Sequence, residues 1–267
     1  MNKEQTFKAM HQQAELLFLP NAWDVISAMV LEQAGFKAVG TTSWGVSNAL
    51  GYKDGENIEF SELLTLVGKM VAVLSIPLTV DIESGYAQSD ELIAENVLKI
   101  ADLGVAGINF EDSLKNTTAM VDKQTQCGLI EKIRNKLDSH GHTDFFINAR
   151  TDTYFQLKDP LGETISRAVD YVASGASGIF VPGLSQADEI KQIVDAIDAP
   201  LNVMSLSDMT DVGELNKLGV KRFSVGNALS DATTAFIEQQ ARQILTQQNT
   251  ASLYDHGEVK TVFRPCK

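Results

Sequence analysis

A chain of 267 residues with a formal net charge of −13 is poorly suited to binding nucleic acid or an anionic membrane surface. With 44% hydrophobic and 21% charged residues, its composition is that of a soluble protein with a full core. The two cysteines, Cys127 and Cys266, stand far apart, which excludes a disulfide framework and favours a reducing compartment. No apolar run approaches the roughly 18 residues of a membrane span, and the N-terminus lacks a signal pattern, so we expect a cytoplasmic protein.

Strand-like and helix-like segments alternate along the whole chain. Four helix-like segments end in a glycine that is followed by an apolar run, a pattern typical of a helix-turn-strand unit. The predicted strands are 16–20, 37–42, 77–81, 106–110, 144–149, 177–181, 200–204 and 220–225. The predicted helices are 3–14 at the N-terminus and then 24–34, 59–74, 89–103, 121–138, 162–174, 186–197, 209–218 and 228–247.

Eight strand-helix units in one run indicate parallel strands with crossover helices, and they favour an α/β fold of the (β/α)8 TIM-barrel type. A doubly wound sheet is the alternative, but no Gly-x-Gly-x-x-Gly motif follows the first strand. No Pro/Gly-rich linker divides the chain. We therefore predict a single domain over 1–267, with a barrel core at about 16–247 and a C-terminal tail at 248–267.

Two carboxylates follow the third predicted strand. The apolar run 77–80 leads into Asp81 and Glu83, which are two positions apart, and a glycine turn comes next. Acids at the mouth of an apolar strand are costly to desolvate unless a cation or a proton compensates them. The pair indicates a hard divalent cation such as Mg²⁺, with helix capping or pairing to a basic neighbour as the structural alternative.

Barrel enzymes have their active sites at the carboxyl ends of the strands, and the residues expected there are chemically related. They include Asn21, Asp24, Ser43, Trp44, Gly45, Asp81, Glu83, Glu111, Asp112, Arg150, Asp152, Asn202, Ser205, Gly226 and Asn227. Several acids, one arginine and a hydroxyl-glycine turn on one face predict a catalytic site. Some have structural alternatives: Asp24 as a helix N-cap, Asp112 as a supporting or capping group, Trp44 as a core plug, and Arg150 as a partner of Asp152.

The four histidines are poor candidates for a catalytic base. His140 and His142 precede the fifth strand, which places them in a solvated loop at the opposite face of the barrel. His11 and His256 lie in terminal segments. Acid-base chemistry is therefore expected from carboxylates, a lysine, a tyrosine or water.

The motifs in this chain resemble, in order and spacing over about 16–230, those of the isocitrate lyase / phosphoenolpyruvate mutase superfamily. The matching segments are 20–24 (PNAWD), 43–45 (SWG), 50–54 (LGYKD), 81–86 (DIESGY), 107–112 (GINFED), 148–152 (NARTD) and 223–226 (FSVG). The resemblance implies a Mg²⁺-dependent enzyme that acts on a small 2-oxo or 2-hydroxy acid through a pyruvate enolate. It also implies a homodimer or homotetramer in which the last helix is exchanged between subunits.

The resemblance assigns a role to each site residue. It makes Asp81 the metal ligand, with Asp54, Glu83 and Glu111 holding metal-bound waters. Ser43 and the backbone at Trp44 and Gly45 would receive the substrate carboxylate and oxyanion. Arg150 would face the substrate oxygens, so that Arg150, Ser43 and Glu111 are the candidate catalytic groups.

The loop after the fourth strand departs from the better-known members of the superfamily. Isocitrate and methylisocitrate lyases carry a Lys-Lys/Arg-Cys-Gly-His motif there, whereas Cys127 lies sixteen residues beyond Glu111 in a helix-like stretch. The segment 115–117 resembles the lysine-asparagine loop of the phosphonate enzymes only in composition. We therefore expect a member of an uncharacterised branch of the superfamily, and a lyase that cleaves a C–C bond is the leading hypothesis for this chain. A phosphonate enzyme that breaks or moves a P–C bond and a barrel that binds a carboxylate without turnover are the alternatives.

Overall fold

The computed structural model describes residues 1–114 and 119–257. Its strands are β1 (Leu17–Leu19), β2 (Asn21–Ala22), β3 (Val39–Thr41), β4 (Leu78–Asp81), β5 (Gly107–Glu111), β6 (Phe146–Arg150), β7 (Gly178–Phe180), β8 (Leu201–Met204) and β9 (Arg222–Ser224). Its helices are α1 (Lys3–Met10), α2 (Val25–Ala34), α3 (Ser43–Leu50), α4 (Phe60–Val73), α5 (Asp90–Asp102), α6 (Lys123–Ser139), α7 (Thr153–Gln156), α8 (Leu161–Ala173), α9 (Ala187–Ala196), α10 (Val212–Lys217) and α11 (Ala228–Gln247). A short 3-10 helix, Ala251–Tyr254, follows.

The strands form one parallel sheet, which closes into a barrel where β1 and β2 follow each other in the chain. β1 pairs with β9, whereas β2 pairs with β3, and the order between them runs through β8, β7, β6, β5 and β4. Pro20 separates β1 from β2, and because proline has no N–H it cannot continue a hydrogen-bonded ladder as a donor. The chain changes its pairing partner at this residue, so β1 and β2 together serve as one strand. The predicted (β/α)8 barrel is confirmed.

All predicted strands and helices are found, and the differences lie at their ends and in two short helices. α3 begins at Ser43, where a turn was expected, because the Thr42 side chain accepts the Gly45 amide and caps a helix there. The four-residue α7 was not predicted. The predicted helix 209–218 is confined to α10, since Asp211 caps it by accepting two backbone amides.

Helix α1 closes the amino-terminal end of the barrel. Phe7, fully buried, packs on Phe146 with 5.6 Å between ring centroids, and the His11 ring stacks on Phe146 at 4.0 Å. The predicted N-terminal helix therefore ends earlier than residue 14, and His11 belongs to the core and not to a loose terminus. Its Nδ1 donates to the Phe7 carbonyl over 2.8 Å, while its Nε2 has no partner among the described residues.

We expect His11 to make the protein less stable in mild acid. Burial, with the nearby Arg222 charge, lowers the pKa of His11 from its usual 6.5 to about 3. Below pH 6.5, His11 binds a proton in the unfolded chain but not in the folded one. Its contribution therefore lowers the free energy of unfolding by about 1.4 kcal/mol for each unit that the pH decreases. Urea unfolding of the wild type and His11→Phe from pH 7 to 4.5 measures this. The substitution should flatten the acid slope, and parallel curves would contradict the assignment.

Helix α11 is set apart from the barrel. Of its twenty residues only Ser230 is buried, and Phe236, Ile237 and Leu245 are 60%, 62% and 73% exposed. The hydrogen bond from Trp44 Nε1 to Asp231, 2.9 Å long, joins its first turn to α3. No helix within the described residues is both long enough and apolar enough to span a membrane.

Candidate active site

The carboxyl ends of the strands surround a cavity of about 230 Å³. Its wall combines polar groups near the strand ends with a few apolar side chains. The lining residues are Asn21, Thr41, Thr42, Ser43, Trp44, Asp54, Asp81, Asn109, Arg150, Phe155, Phe180, Pro182, Met204, Ser224, Gly226 and Asn227. The volume and the mixture of charges suit a small polar molecule.

One side of the cavity is the N-terminus of α3. The amides of Ser43 and Trp44 open this helix and have no carbonyl acceptor within it. A helix N-terminus attracts anions, because its amides point outward and its dipole is positive there. Gly45 does not line the cavity: its amide is bonded to Thr42, and a Cβ at this position would lie 2.8 Å from the Thr42 and Trp23 side chains. Ser43 and Trp44 are thus placed to receive a carboxylate, and Gly45 allows the close packing that positions them.

Arg150 faces this helix end from β6. Its guanidinium holds Asp152 through two hydrogen bonds of 2.6 and 3.0 Å, and its Nη1 lies 3.0 Å from Glu111 Oε2. The Phe180 ring lies 5.8 Å from the guanidinium carbon. Burial raises the pKa of Glu111 well above its usual value, although the Arg150 charge opposes that effect. Arg150 is therefore a fixed cation at the cavity wall, and Glu111 contacts the cavity only through it.

The third side is acidic. Burial raises the pKa of Asp81 despite the opposing charge of Arg150, and the neighbouring Asp54 adds to the increase. Burial likewise raises the pKa of Glu83 to about 7. A hydrogen bond from Tyr86 opposes this increase, and the charges of Asp81 and Asp54 add to it. Asp54 Oδ1 is buried and has no partner among the described residues. The folded chain thus concentrates buried carboxylates on this side of the cavity.

A ring of hydrogen bonds fixes Glu83 behind the cavity. Its carboxylate accepts the Glu56 amide over 2.7 Å and the Tyr86 hydroxyl over 2.8 Å. The Glu56 carboxylate accepts the Tyr86 amide over 2.9 Å and the Ser84 hydroxyl over 2.7 Å. Glu56, Glu83 and Tyr86 all adopt left-handed backbone conformations, with φ of 54°, 50° and 57°. Such conformations are unfavourable for residues other than glycine, so the ring of hydrogen bonds holds the backbone in place.

The acidic side fits a Mg²⁺ ion held largely through water. Within residues 1–114 and 119–257, no three His, Cys, Asp or Glu side chains converge on one point as the ligands of a complete metal cage would. Mg²⁺ is commonly bound through one or two carboxylates, with waters completing its coordination. Asp81 supplies a carboxylate at the cavity, and so does Asp54, whose buried Oδ1 has no partner among the described residues. The donor set is therefore suitable for Mg²⁺.

Asp112 supports the site from behind, as one of the sequence interpretations expected. Its fully buried carboxylate accepts the Asp152 amide over 3.1 Å, the Tyr171 hydroxyl over 2.8 Å and Arg167 Nη1 over 3.0 Å. Asp152 is thereby fixed, and Asp152 in turn holds Arg150. Asp24 is confirmed as the N-cap of α2, since its side chain accepts the Ser27 amide over 2.6 Å.

A sequence model of the phosphoenolpyruvate phosphomutase family matches residues 7–245. The chain belongs to the phosphoenolpyruvate phosphomutase family. An uncharacterised protein of Mycobacterium tuberculosis is 37% identical over 224 residues, covering 83% of this chain and 82% of that protein. A crystal structure named as a candidate phosphonomutase from Burkholderia cenocepacia is 34% identical, has a TM-score of 0.86, and matches 90% of this chain and 99% of that one.

Other relatives carry the names of lyases. Oxaloacetate decarboxylase 1 of Pseudomonas fluorescens is 28% identical over 246 residues, covering 87% of this chain and 82% of that protein. The 2-methylisocitrate lyase of Escherichia coli is 28% identical over 194 residues, covering 70% of this chain and 62% of that protein. These matches confirm the predicted superfamily and, with it, the prediction of an enzyme from a group of carbon–carbon lyases and phosphonomutases.

Not every residue that sequence reasoning assigned to the family site reaches the cavity. Ser43, Trp44, Asp54, Asp81 and Arg150 line it, whereas Gly45, Glu83 and Glu111 lie behind the wall. Sequence reasoning placed Thr41 at this end of the barrel but did not select Asn109, Phe155, Phe180, Met204 and Ser224. Asn109 could have been found, because it is a polar residue in an otherwise apolar run and lies two positions before Glu111 on the same strand.

The loop that distinguishes members of the family lies between β5 and α6. Leu114 donates its amide to the Ala119 carbonyl over 2.9 Å, and Ser113 and Met120 form an antiparallel bridge. The segment 115–117, compared above with the phosphonate enzymes, lies outside the described residues, as does Cys266. Cys127 is buried in α6 and belongs to the hydrophobic core, which confirms its interpretation as a helix cysteine.

The histidine pair before β6 lies away from the cavity but is not wholly solvated. His140 is exposed, whereas His142 Nδ1 lies 2.7 Å from Glu4 and its Nε2 lies 3.1 Å from Asp102. The expectation of a solvated loop was therefore wrong for His142, because carboxylates on α1 and α5 reach it. Its contacts tie α1 to the barrel and give it a structural role.

Proposed function

We propose that this protein is a Mg²⁺-dependent lyase that cleaves a C–C bond of a small 2-oxo or 2-hydroxy carboxylic acid through a pyruvate-enolate-type anion. The observation that carries the proposal is the convergence, on one cavity, of the α3 N-terminus, the Arg150 guanidinium and the carboxylates of Asp54 and Asp81. Donors on two sides and acids on the third suit a substrate with two adjacent anionic oxygens and a cation between it and the acids.

Each wall has a separate task in this proposal. The Ser43 and Trp44 amides bind the substrate carboxylate, and Arg150 stabilises the negative charge that develops on the neighbouring oxygen as the bond breaks. Asp152 and Glu111 hold the guanidinium in one orientation, so little reorganisation accompanies the reaction. Asp81, with Asp54, would hold Mg²⁺, which when bound supplies further neutralisation of developing charge.

Oxalate, a mimic of the pyruvate enolate, tests this proposal. Because a ligand that binds only the folded state raises its stability by mass action, oxalate with Mg²⁺ should increase the melting temperature, by several degrees at saturating concentration. Oxalate without Mg²⁺ and succinate with Mg²⁺ are the matched controls and should have little effect. The absence of any increase with both oxalate and Mg²⁺ would refute the enolate site.

A phosphonate enzyme is the second candidate, supported by the 34% identity to the Burkholderia protein named as a candidate phosphonomutase. The two candidates differ in their products, which NMR can follow with oxaloacetate, 2-methylisocitrate, a dimethylmalate and phosphonopyruvate. Release of a 2-oxo acid without phosphate would support the lyase. Release of phosphate, or a rearranged phosphorus signal, from phosphonopyruvate would support the phosphonate enzyme instead.

We also propose that the enzyme works in the cytoplasm as a homodimer or homotetramer that exchanges α11. The exposed Phe236, Ile237 and Leu245 support this, because apolar side chains on a helix that stands off its own barrel need another surface. Sedimentation at micromolar concentration should give a dimer or tetramer, and a monomer would refute the exchange.

A further inference from the structure

A ladder of amide side chains lies inside the barrel beneath the cavity. Asn109 on β5, Asn148 on β6 and Asn202 on β8 are buried and contact one another across the strands. Below them Arg222, the first residue of β9, is only 1% exposed. None of these four residues has a role in the function proposed above.

Arg222 fixes the direction in which each amide faces. Its Nη2 donates to the side chain of Asn109 over 3.1 Å, and because a guanidinium has only donors, the Asn109 atom that it contacts must be the oxygen. Asn148 Nδ2 donates to the same oxygen over 2.9 Å and to Asn202 Oδ1 over 3.0 Å. Asn202 Nδ2 then donates to the carbonyls of Val203 and Arg222. One buried cation therefore sets the orientation of the whole ladder.

The consequence is a donor at the floor of the cavity. Asn109 lines the cavity and is the register partner of Asp81 on the adjacent strand. With its oxygen held by Arg222 and Asn148, its other polar atom is the amide nitrogen. Across the described ranges, this nitrogen has no hydrogen-bond acceptor in the protein. It is also not one of the atoms that are closed off from solvent without a partner. It is therefore available to a molecule in the cavity.

We propose that Asn109 is a substrate-binding residue whose amide N–H donates to an anionic oxygen of the bound 2-oxo acid, and that Arg222 and Asn148 are positioning residues that direct it. This inference rests on the proposed function, since it adds a donor to the same site. An amide whose oxygen accepts a hydrogen bond from a cation is polarised, and this strengthens the hydrogen bond that its N–H donates.

The state of Arg222 is consistent with such a role. Its Nε and Nη1 are buried and have no partner in the part of the chain that the structure describes. Burial lowers the pKa of Arg222 to about 9, partly offset by the Asp81 charge, so it remains a cation at neutral pH. A buried cation with unsatisfied donors destabilises a fold more than an apolar side chain of similar volume would. The orientation that Arg222 imposes on the Asn109 amide gives a reason for a cation at this position.

Asn109→Asp is the principal test, measured by titration calorimetry with oxalate and Mg²⁺. The aspartate keeps the oxygen that accepts from Arg222 and Asn148 and gains an ion pair with Arg222, so the fold should be retained with an equal or higher melting temperature. It replaces the donor by an acceptor, and the affinity for oxalate should fall at least about 30-fold. The double variant N109L/R222M removes the donor without adding charge or leaving the Arg222 cation unpaired, and Asn148 keeps its bond to Asn202. It should weaken binding about tenfold.

Arg222 is tested by rescue. Arg222→Met leaves the lining of the cavity unchanged, but the Asn109 oxygen is then held by Asn148 alone, so we expect several-fold weaker oxalate binding. Arg222→Lys restores a charged donor and should return the affinity towards the wild-type value, which a purely structural role would not require. Wild-type affinity in Arg222→Met would overturn the positioning role.

The outcomes separate this inference from the proposed function. If the wild type binds oxalate with Mg²⁺ while both N109D and N109L/R222M bind it equally well, the role of Asn109 is overturned and the proposed function stands. If the wild type itself does not bind oxalate with Mg²⁺, the proposed function is overturned and this inference with it.

Discussion

Replacing Asp81 by alanine is expected to abolish Mg²⁺-dependent oxalate binding and to lower activity by about 10³-fold or more, while the fold is retained. The magnitude follows from the several kcal/mol that a metal ion contributes to charge stabilisation. Retention of the fold follows from the environment of Asp81, because burial raises the pKa of this carboxyl and its ionised form is therefore unfavourable in the metal-free protein. Without Mg²⁺, Asp81→Ala should melt at or above the wild-type temperature.

Asp24→Ala is the matched control for Asp81→Ala. Asp24 is an acid at the same end of the barrel, but it caps α2 and does not line the cavity. Its loss should lower the free energy of unfolding by about 1 kcal/mol and leave oxalate binding unchanged. Calorimetric titration of both variants with oxalate, at several Mg²⁺ concentrations, measures the difference. Metal-dependent binding that survives in Asp81→Ala would remove Asp81 from the metal site.

Replacing Arg150 by methionine is expected to reduce both stability and binding. Arg150 compensates two carboxylates, Glu111 and Asp152, which would be left unpaired in a partly buried site. Breaking a buried ion pair costs about 3–5 kcal/mol, and because the cavity admits some solvent we expect a decrease of about 2–4 kcal/mol in the free energy of unfolding. Oxalate affinity should fall by at least about tenfold, because a charged donor is lost.

Two further variants separate the effects of Arg150 on stability and on binding. Arg150→Lys keeps the charge but not the two-pronged contact with Asp152, so both losses should be smaller. In the double variant R150M/E111Q the unpaired Glu111 charge is also removed, and part of the stability should return while oxalate affinity does not. Urea unfolding at pH 7.5 and calorimetry measure the two quantities. A fully stable Arg150→Met protein would show that the pairs with Glu111 and Asp152 contribute little.

The sequence was most informative where acids or glycines interrupt apolar runs. Asp81 and Arg150 could be placed at one face because strand ends in a barrel meet there, whereas Asp54 was assigned by the family resemblance; all three line the cavity. The helix α3 was missed since Ser43, Trp44 and Gly45 have the composition of a turn. It forms because Thr42 caps it and because the missing side chain of Gly45 leaves room for Thr42 and Trp23. Tertiary packing therefore determines that this segment is a helix and not a turn.

The contacts of the amide ladder could not be predicted from the periodicity of the sequence, for a different reason. The run from Gly107 to Glu111 reads as a buried strand in which Asn109 shares the face of Glu111, but nothing local shows that Asn148 contacts it. Its importance depends on Arg222, which is 113 residues away in the chain. Contacts between such distant residues are set by the closure of the barrel, which the sequence pattern specifies only as a whole.

The left-handed conformations of Glu56, Glu83 and Tyr86 have an evolutionary consequence. Each costs about 1 kcal/mol or more compared with a glycine at the same place, so a variant with glycine there would relieve strain. Selection for heat resistance alone would therefore tend to remove these side chains, and with them the hydrogen bonds that fix the acidic wall. The loop thus combines a strained backbone with side chains that fix the acidic wall, a combination typical of places where activity and stability compete.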